Sequence, residues 1–374
     1  MIRDMINALR LVSVLALVGA CGAEPPITDC SPAAGIEPIC GLRGPEDLLI
    51  APGRQWLIMS QYVGSEPNAT SGSLVALRRP NGPAVHLFPP IHGRTDWLKR
   101  VRAQWGSPKC PGPPLKGFAP HGLDLRKRSG TNTFMVVVNH AGREAIEIFE
   151  LGVPREGSPV VHWRGCVPLP PGTIGNDVAV LPEGGFVVTH MFEPGGSRQG
   201  LWNLVKGFFG ANTGYVLEWK PERGWRKVPG TDERLPNGVI ASPDGKYIWF
   251  SAWLGNRVVR ATLDGSEEPI HVDVTHPDNL TWADDGRILV ASQDFSISEA
   301  LACSDLEEGT CGAPFSIIAI DPETFETETL VEQQGAPMGA GTVGLQVDGD
   351  LYIGSFTGDR MGRIPDLFTE SASP

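Results

Sequence analysis

The stretch PNGVIASPDGKYIWFS, residues 236–251, contains a pattern of turn residues and apolar runs from which the fold can be predicted. A polar tip, Pro236-Asn237-Gly238, leads into a short apolar run, and Asp244-Gly245 then precedes a β-branched and aromatic run at residues 247–251. An Asp-Gly pair between two such runs is typical of a β-hairpin. The stretch therefore predicts two adjacent antiparallel strands, the first of which begins with a polar tip.

The same arrangement occurs six times along the chain. The six tips begin at Pro45, Pro120, Gly175, Pro236, Pro277 and Ala340, and strand-like runs follow them at residues 56–59, 134–138, 186–189, 247–251, 288–291 and 351–354. The copies are about 40 to 75 residues apart, which is enough for a four-stranded unit with loop insertions. Turn-forming residues before a strand are common, but six in the same relative position favour a repeat. The sequence predicts an all-β fold, a six-bladed β-propeller over residues 44–374.

The tips predict a metal site. The innermost strand of each propeller blade starts at the central channel, so the six tips are expected to meet at the axis. Carboxylates and amides without thiolates form a hard-oxygen set that suits Ca²⁺, and clustered carboxylates repel one another unless a cation neutralises them. The converging side chains are Glu46, Asp47, His121, Asn176, Asp177, Asn237, Asp278, Asn279 and Thr342.

The N-terminus resembles an export signal. Arg3 and Arg10 precede an apolar stretch at residues 11–20, which is typical of a signal peptide over residues 1–20. The sequence Val-Gly-Ala-Cys that ends at Cys21 looks like a bacterial lipobox, with Cys21 as the lipid-modified residue. Residues 21–43 then form an N-terminal segment before the propeller. We expect a cell-envelope lipoprotein of the periplasm or outer membrane, or a secreted protein if cleavage leaves Cys21 incidental.

Six further cysteines predict disulfide bonds. An even number in an exported chain favours disulfides, and six cysteines allow fifteen connectivities. Their spacing favours Cys30–Cys40 and Cys303–Cys311 as local loops, which leaves Cys110–Cys166 as a long clip. A zinc cluster is the rival interpretation, although the chain has no C-x-x-C.

The acidic net charge argues against a nucleic-acid-binding protein. The formal net charge is −12, so the phosphates of a nucleic acid would be repelled.

One helix is expected, at residues 197–210, where Leu201, Leu204, Val205 and Phe208 follow helical spacing. It could pack on the propeller, cover the channel mouth, or, together with a lipidated Cys21, rest on a membrane.

Several stretches in order along the chain resemble one known family: residues 44–48 (GPEDL), 120–123 (PHGL), 137–140 (VVNH), 176–177 (ND), 237–238 (NG), 242–247 (SPDGKY) and 278–279 (DN). They look like the paraoxonase/arylesterase family and, more widely, the superfamily of gluconolactonases and regucalcin. The resemblance implies a six-bladed propeller with two calcium ions in its channel. It also implies hydrolysis of lactones or aryl esters, small-molecule substrates whose carbonyl the metal polarises.

The resemblance assigns roles residue by residue. A catalytic calcium would be held by Glu46, Asn176, Asn237, Asp278 and Asn279, and a buried structural calcium by Asp47, Asp177 and the carbonyl of Leu123. His121 matches the family's proposed general base, and His140 matches its partner in a histidine dyad.

Two departures from the family concern the chain ends and the pocket wall. No cysteine follows Cys311, so the family's disulfide between the chain ends cannot form. Only His190 stands where the family has an Asn-Asp-His run. The alternative function is a non-catalytic exported propeller that binds a ligand or partner and uses calcium structurally.

Overall fold

Each of the six tips begins the innermost strand of a separate β-sheet in the computed structural model. The structure describes residues 25–62, 72–90, 105–114, 117–127, 133–193, 205–296 and 308–369, together with residues 202, 299, 303 and 306. Within these residues the sheets form six blades around one axis. The prediction of a six-bladed β-propeller is confirmed.

The strands follow one another along the chain in blade order. Strand β1 (Glu37–Cys40) precedes the first tip. The first blade contains β2 (Pro45–Ile50), β3 (Trp56–Gln61), β4 (Ser73–Arg78) and β5 (Ala84–Phe88). The second contains β6 (Trp105–Gly106), β7 (Pro120–Lys127), β8 (Thr133–Asn139), β9 (Ala145–Gly152) and β10 (Val160–Pro168), with β6 parallel to β10. The third contains β11 (Gly175–Val180), β12 (Phe186–His190), β13 (Tyr215–Lys220) and β14 (Gly224–Lys227).

The remaining blades repeat this antiparallel meander. The fourth contains β15 (Pro236–Ala241), β16 (Tyr247–Ala252), β17 (Arg257–Thr262) and β18 (Ile270–Asp273). The fifth contains β19 (Pro277–Trp282), β20 (Ile288–Gln293), β21 (Phe315–Ile320) and β22 (Thr327–Gln333). The sixth contains β23 (Gly341–Val347), β24 (Asp350–Ser355) and β25 (Arg360–Ile364).

The core of the molecule lies between the blades. Six clusters of buried apolar side chains each join two neighbouring blades, and the last joins the sixth blade to the first. In that last cluster Leu57 and Met59 of β3 pack with Val343 and Tyr352 of the sixth blade. Burying one such side chain contributes about 1.5–3 kcal/mol, so each blade depends on both of its neighbours.

The two ends of the described chain close the ring. Strand β1 pairs antiparallel with β25, with Glu37 opposite Arg363 and Cys40 opposite Arg360, and so completes the sixth blade from the N-terminal side. Arg360 is fully buried and donates hydrogen bonds to the carbonyls of Asp29 and Pro337 at 2.5 and 3.2 Å. Its guanidinium therefore ties residues before β1 to the C-terminal strand.

Three disulfides stabilise loops around this frame. They join Cys30 to Cys40, Cys110 to Cys166 and Cys303 to Cys311. The pairing that the cysteine spacing favoured is confirmed, and all six cysteines are used, so none remains for a zinc cluster. The first disulfide holds the segment next to β1, and the second links the loop after β6 to β10.

The helical insertion lies in the third blade, between β12 and β13. Within the predicted span 197–210, residues 202 and 205–208 are helical and residues 209–210 form a turn, while residues 197–201, 203 and 204 lie outside the described residues. Phe208 packs against the cluster of Met191, Phe192, Leu235, Trp253 and Leu254, whereas Trp202 and Phe209 are 55% and 87% exposed. Among the described residues, no helix is long and apolar enough to cross a membrane.

Replacing Arg360 should open the ring closure. We expect Arg360→Met to lower the free energy of unfolding by about 3 kcal/mol, because a buried charged donor that satisfies several carbonyls is lost. Arg287→Met is the matched control: Arg287 pairs with Asp285 and Glu328 near the surface, where such pairs contribute about 1 kcal/mol or less. Urea denaturation of both variants measures the difference, and equal losses would contradict the role of Arg360.

Candidate functional site

Every innermost strand carries a β-bulge at its tip. The register between each innermost strand and the next strand of its blade shifts by one residue. The shift lies, for example, between Pro236 and Val239 and between Pro277 and Leu280. The same shift occurs in the other four blades. A bulge inserts one extra residue and re-aims side chains that would otherwise alternate between the faces. Successive tip residues such as Asp278 and Asn279 therefore both lie buried near the axis.

Glycines let neighbouring tips approach each other closely. A Cβ on Gly122 would lie 2.2 Å from Oδ1 of Asp177, and a Cβ on Gly238 would lie 2.6 Å from Cα of Asn279. Any side chain at these positions would displace the next tip. The glycines in the second and fourth tips are thus required for the convergence of the tips, not only for a turn.

The five residues that the resemblance assigned to a catalytic calcium come together. Glu46, Asn176, Asn237, Asp278 and Asn279 are at most 7% exposed. The Asn279 amide donates a hydrogen bond to Oε1 of Glu46 at 2.8 Å, which connects the fifth blade to the first.

Four buried oxygens of this set accept no hydrogen bond from any residue that the structure describes. They are Glu46 Oε2, Asn176 Oδ1, Asn237 Oδ1 and Asn279 Oδ1. Leaving a buried polar atom unsatisfied costs about 1–3 kcal/mol, so four in one place require a common partner. Carboxylate and amide oxygens are the ligands of Ca²⁺, and the set therefore fits a calcium ion.

Asp278 is held in position by a short chain of hydrogen bonds. The indole of Trp253 donates to Oε1 of Gln293 at 2.9 Å, which leaves the Gln293 amide nitrogen to donate to Oδ2 of Asp278. Burial raises the pKa of Asp278 well above its usual value, and the charges on Glu46 and Asp47 raise it further. A cation beside this carboxyl would favour its ionised form.

Amides outnumber charged side chains in the axial set. Within the described residues, neither the axis nor any other region brings three His, Cys, Asp or Glu side chains together in a metal-holding group. The axial set contains only two carboxylates, and its remaining three members are amides, so it has the composition of a calcium site and not of a zinc or iron site.

Asp47 and Asp177, the carboxylates assigned to a structural calcium, bind backbone amides of neighbouring blades. Asp47 accepts hydrogen bonds from Leu48 and from Leu123 in the second blade, both at 2.8 Å. Asp177 accepts from Val178 and from Val239 in the fourth blade, both at 2.7 Å. All four oxygens thus have a backbone partner, unlike those of the axial set.

Two properties of these carboxylates bear on a second ion. Burial raises the pKa values of Asp47 and Asp177, and neighbouring negative charges raise them further, so a nearby cation would be favourable. Leu123, however, meets Asp47 through its N–H group. Thr342 is likewise a link between blades, because its hydroxyl donates to the carbonyl of Glu46 at 2.6 Å.

The two predicted histidines form a pair beside Glu46. Nδ1 of His121 lies 3.0 Å from Nε2 of His140, and Nε2 of His121 lies 3.5 Å from Oε1 of Glu46. Nδ1 of His140 lies 2.9 and 3.0 Å from the two oxygens of Glu144. Burial lowers the pKa of His140, while Glu144 opposes that effect.

Three residues that support the site were not found from the sequence. Tyr62 stacks on the ring of His121 at 4.7 Å, Gln293 orients Asp278, and Glu144 contacts His140. Each lies at or near the end of a strand. No sequence pattern distinguishes these residues from others at strand ends, and only the three-dimensional structure shows their contacts. His190 lies apart from the pair, buried against Tyr215 and the backbone of Ile174.

Solved structures share the fold of this chain. No protein-family model and no curated protein matches its sequence. A luciferin-regenerating enzyme superposes with a TM-score of 0.52 at 13% identity, over 87% of this chain and 92% of that one. A gluconolactonase from Xanthomonas campestris superposes with a TM-score of 0.51 at 14% identity, over 92% and 99%. The likeness extends along nearly the whole of both proteins and is one of fold.

Calcium should stabilise the protein through the unsatisfied oxygens. A ligand that binds only the folded state at 100 times its Kd adds about 2.7 kcal/mol, so Ca²⁺ should raise the melting temperature of the wild type. Asn237→Ala should reduce this rise. Asn139→Ala is the control, because the Asn139 side chain is already bonded to Ala119 and Ala141. Asn139→Ala should lower the stability of the protein and keep the calcium-dependent rise in melting temperature. An undiminished rise in Asn237→Ala would contradict calcium binding by Asn237.

Proposed function

We propose that the protein is a calcium-dependent hydrolase of lactones or aryl esters. The observation that carries the proposal is the position of His121, whose Nε2 lies 3.5 Å from Oε1 of a carboxylate that also bears an unsatisfied buried oxygen. A proton acceptor and a hard-oxygen metal set thus occupy one end of the channel. The fold shared with a gluconolactonase and the resemblance to paraoxonases support the same chemistry.

Glu46, Asn176, Asn237, Asp278 and Asn279 would hold one Ca²⁺, which, when bound, would polarise the substrate carbonyl and stabilise the negative charge that develops on its oxygen. Gln293 keeps Asp278 directed toward this set. A second ion at Asp47, Asp177 and Leu123 is part of the proposal, supported by the raised pKa values of both carboxyls.

His121 would act as the general base. Because the pKa of His140 is lowered, His140 is neutral near pH 7, and its Nδ1–H can donate to the Glu144 carboxylate. Its Nε2 then accepts the Nδ1–H of His121. Nε2 of a neutral His121 consequently carries a lone pair, which can take a proton from water.

Nε2 of His121 would both accept and return the proton in the reaction. As the water oxygen bonds to the carbonyl carbon, its proton passes to Nε2 of His121. When the carbon–oxygen bond to the leaving group breaks, Nε2 returns that proton to the leaving alkoxide of a lactone or the leaving phenoxide of an aryl ester. A lactone gives a hydroxy acid and an aryl ester gives a phenol and an acid. Tyr62, stacked on the imidazole, limits its rotation during both transfers.

Replacing His121 should separate an enzyme from a binding protein. His121→Gln should keep the fold and the calcium-dependent rise in melting temperature, yet lower lactone hydrolysis by about 100-fold or more, the scale for removing a general base. His271→Gln on the outer strand β18 is the control and should retain full activity.

The substrate panel consists of lactones and aryl esters, each assayed with and without a chelator. Wild-type activity should also fall at acid pH, because a protonated His140 can no longer accept a hydrogen bond from His121. Undiminished turnover in His121→Gln would remove it as the base, and a wild type that is inert on the whole panel would favour a ligand-binding propeller.

We propose further that the protein is exported and anchored to a membrane. Residues 1–24, including Cys21, lie outside the described residues, and the proposal rests on the lipobox pattern and on three disulfides, which persist in oxidising compartments. The exposed Trp202 and Phe209 add an apolar surface that could contact lipid.

Changing the proposed lipid site should release the protein. In a bacterial host, wild-type protein should fractionate with membranes or detergent, whereas Cys21→Ser should be soluble or remain unprocessed. Recovery of the wild type entirely in the soluble fraction would contradict anchoring.

A further inference from the structure

Glu144 contacts the buried histidine of the pair from the outer side. The His140 side chain is fully buried, whereas the Glu144 side chain is 31% exposed, and both carboxylate oxygens lie within 3.0 Å of Nδ1 of His140. Glu144 stands in the turn between β8 and β9, four residues after His140. The hydrogen bonds described for this carboxylate all go to His140.

Glu147, on the strand β9 that follows this turn, is a structural carboxylate for comparison. Glu147 is fully buried, pairs with Arg143 and accepts a hydrogen bond from the indole of Trp163 at 2.7 Å. Arg143 thus neutralises Glu147 and not Glu144. Glu144 has no such arginine among the described residues, and its contact is directed at an imidazole nitrogen on the path to the channel.

We infer that Glu144 is a positioning residue that fixes the hydrogen-bonding direction of the histidine pair. A carboxylate can only accept, so Nδ1 of His140 must carry the hydrogen, and Nε2 of neutral His140 must accept. His121 then donates through Nδ1, which leaves a lone pair on its Nε2. The Glu46 oxygen 3.5 Å from that nitrogen already accepts a hydrogen bond from the Asn279 amide at 2.8 Å, so it does not require a hydrogen on Nε2. The inference rests on the proposed function for its kinetic consequence only; the tautomer can be observed without any substrate.

The direction of the hydrogen bond between the two histidines matters because the opposite direction would prevent His121 from accepting a proton. If Nε2 of His140 carried the hydrogen, Nδ1 of His121 would accept it, and Nε2 of a neutral His121 would already be protonated. Water could then not transfer its proton there. A carboxylate behind a catalytic imidazole has this effect on its tautomer in serine hydrolases as well.

Nitrogen NMR of the protein labelled with ¹⁵N-histidine tests the tautomer directly. In calcium-loaded wild type, His121 and His140 should both be Nδ1–H tautomers, assigned by their loss in His121→Gln and His140→Gln. In Glu144→Ala, the His140 nitrogens should shift toward averaged tautomers. Glu150→Ala removes a carboxylate on β9 that pairs with Arg164 of β10, and it should leave both signals unchanged.

Two NMR results would overturn the inference. One is His140 as the Nε2–H tautomer in the wild type, which decides the matter even if Glu144→Ala does not fold. The other is a folded Glu144→Ala whose histidine signals match those of the wild type.

Kinetics provide the second arm of the test. Glu144→Ala should lower kcat by roughly ten-fold or more with little change in KM, because substrate contacts are kept. In a His140→Gln background the same change should cost nothing further, because the pair is already broken. Independent, additive losses would contradict the inference. A wild type without hydrolase activity would instead contradict the proposed function, and the NMR result would still decide the role of Glu144.

Discussion

Repulsion between carboxylates at the axis is the constraint on which the rest of the structure depends. Glu46, Asp47, Asp177 and Asp278 are all buried there, and burial together with neighbouring charge raises the pKa values of the three aspartates. A protein can tolerate such a cluster through backbone donors, through protons or through a cation. Asp47 and Asp177 use backbone amides from adjacent blades, whereas the oxygens around Glu46 lack donors among the described residues. Asp47 and Asp177 thus link neighbouring blades through backbone amides, whereas the oxygens around Glu46 form the set whose composition suits a calcium ion.

Ring closure makes that axial geometry possible. Every blade packs on two neighbours, and hydroxyl groups cross between blades at the tips: Thr189 bonds the carbonyl of Asn237, Ser251 that of Asp278, and Thr342 that of Glu46. Because these links fix the main chain of the tips, the side-chain oxygens are preorganised before any ion binds. The bulges then decide which side chains lie at the axis. An ion held by these oxygens would in this way depend on the integrity of all six blades.

The sequence predicted the parts of this arrangement that local chemistry determines. Turn residues followed by β-branched runs located all six tips and the second strand of each blade, and cysteine spacing located the disulfides. The bulges, the closure by Arg360 and the contact of Glu144 with His140 were not predicted, because they depend on partners in other strands that no local pattern specifies. The resemblance had already assigned Asp47 and Asp177 to a different ion from the axial set. Their backbone hydrogen bonds to neighbouring blades, however, required the structure.

An anomalous difference map of crystals in which a lanthanide replaces calcium would show whether the unsatisfied oxygens at the axis bind a calcium ion. We expect a strong peak on the axis at coordination distance, about 2.3–2.6 Å for such oxygen ligands, from Glu46, Asn176, Asn237, Asp278 and Asn279. His121 should lie next to that peak without ligating it. A map with no peak at the axis, or with peaks only at exposed carboxylates, would mean that these oxygens do not bind calcium.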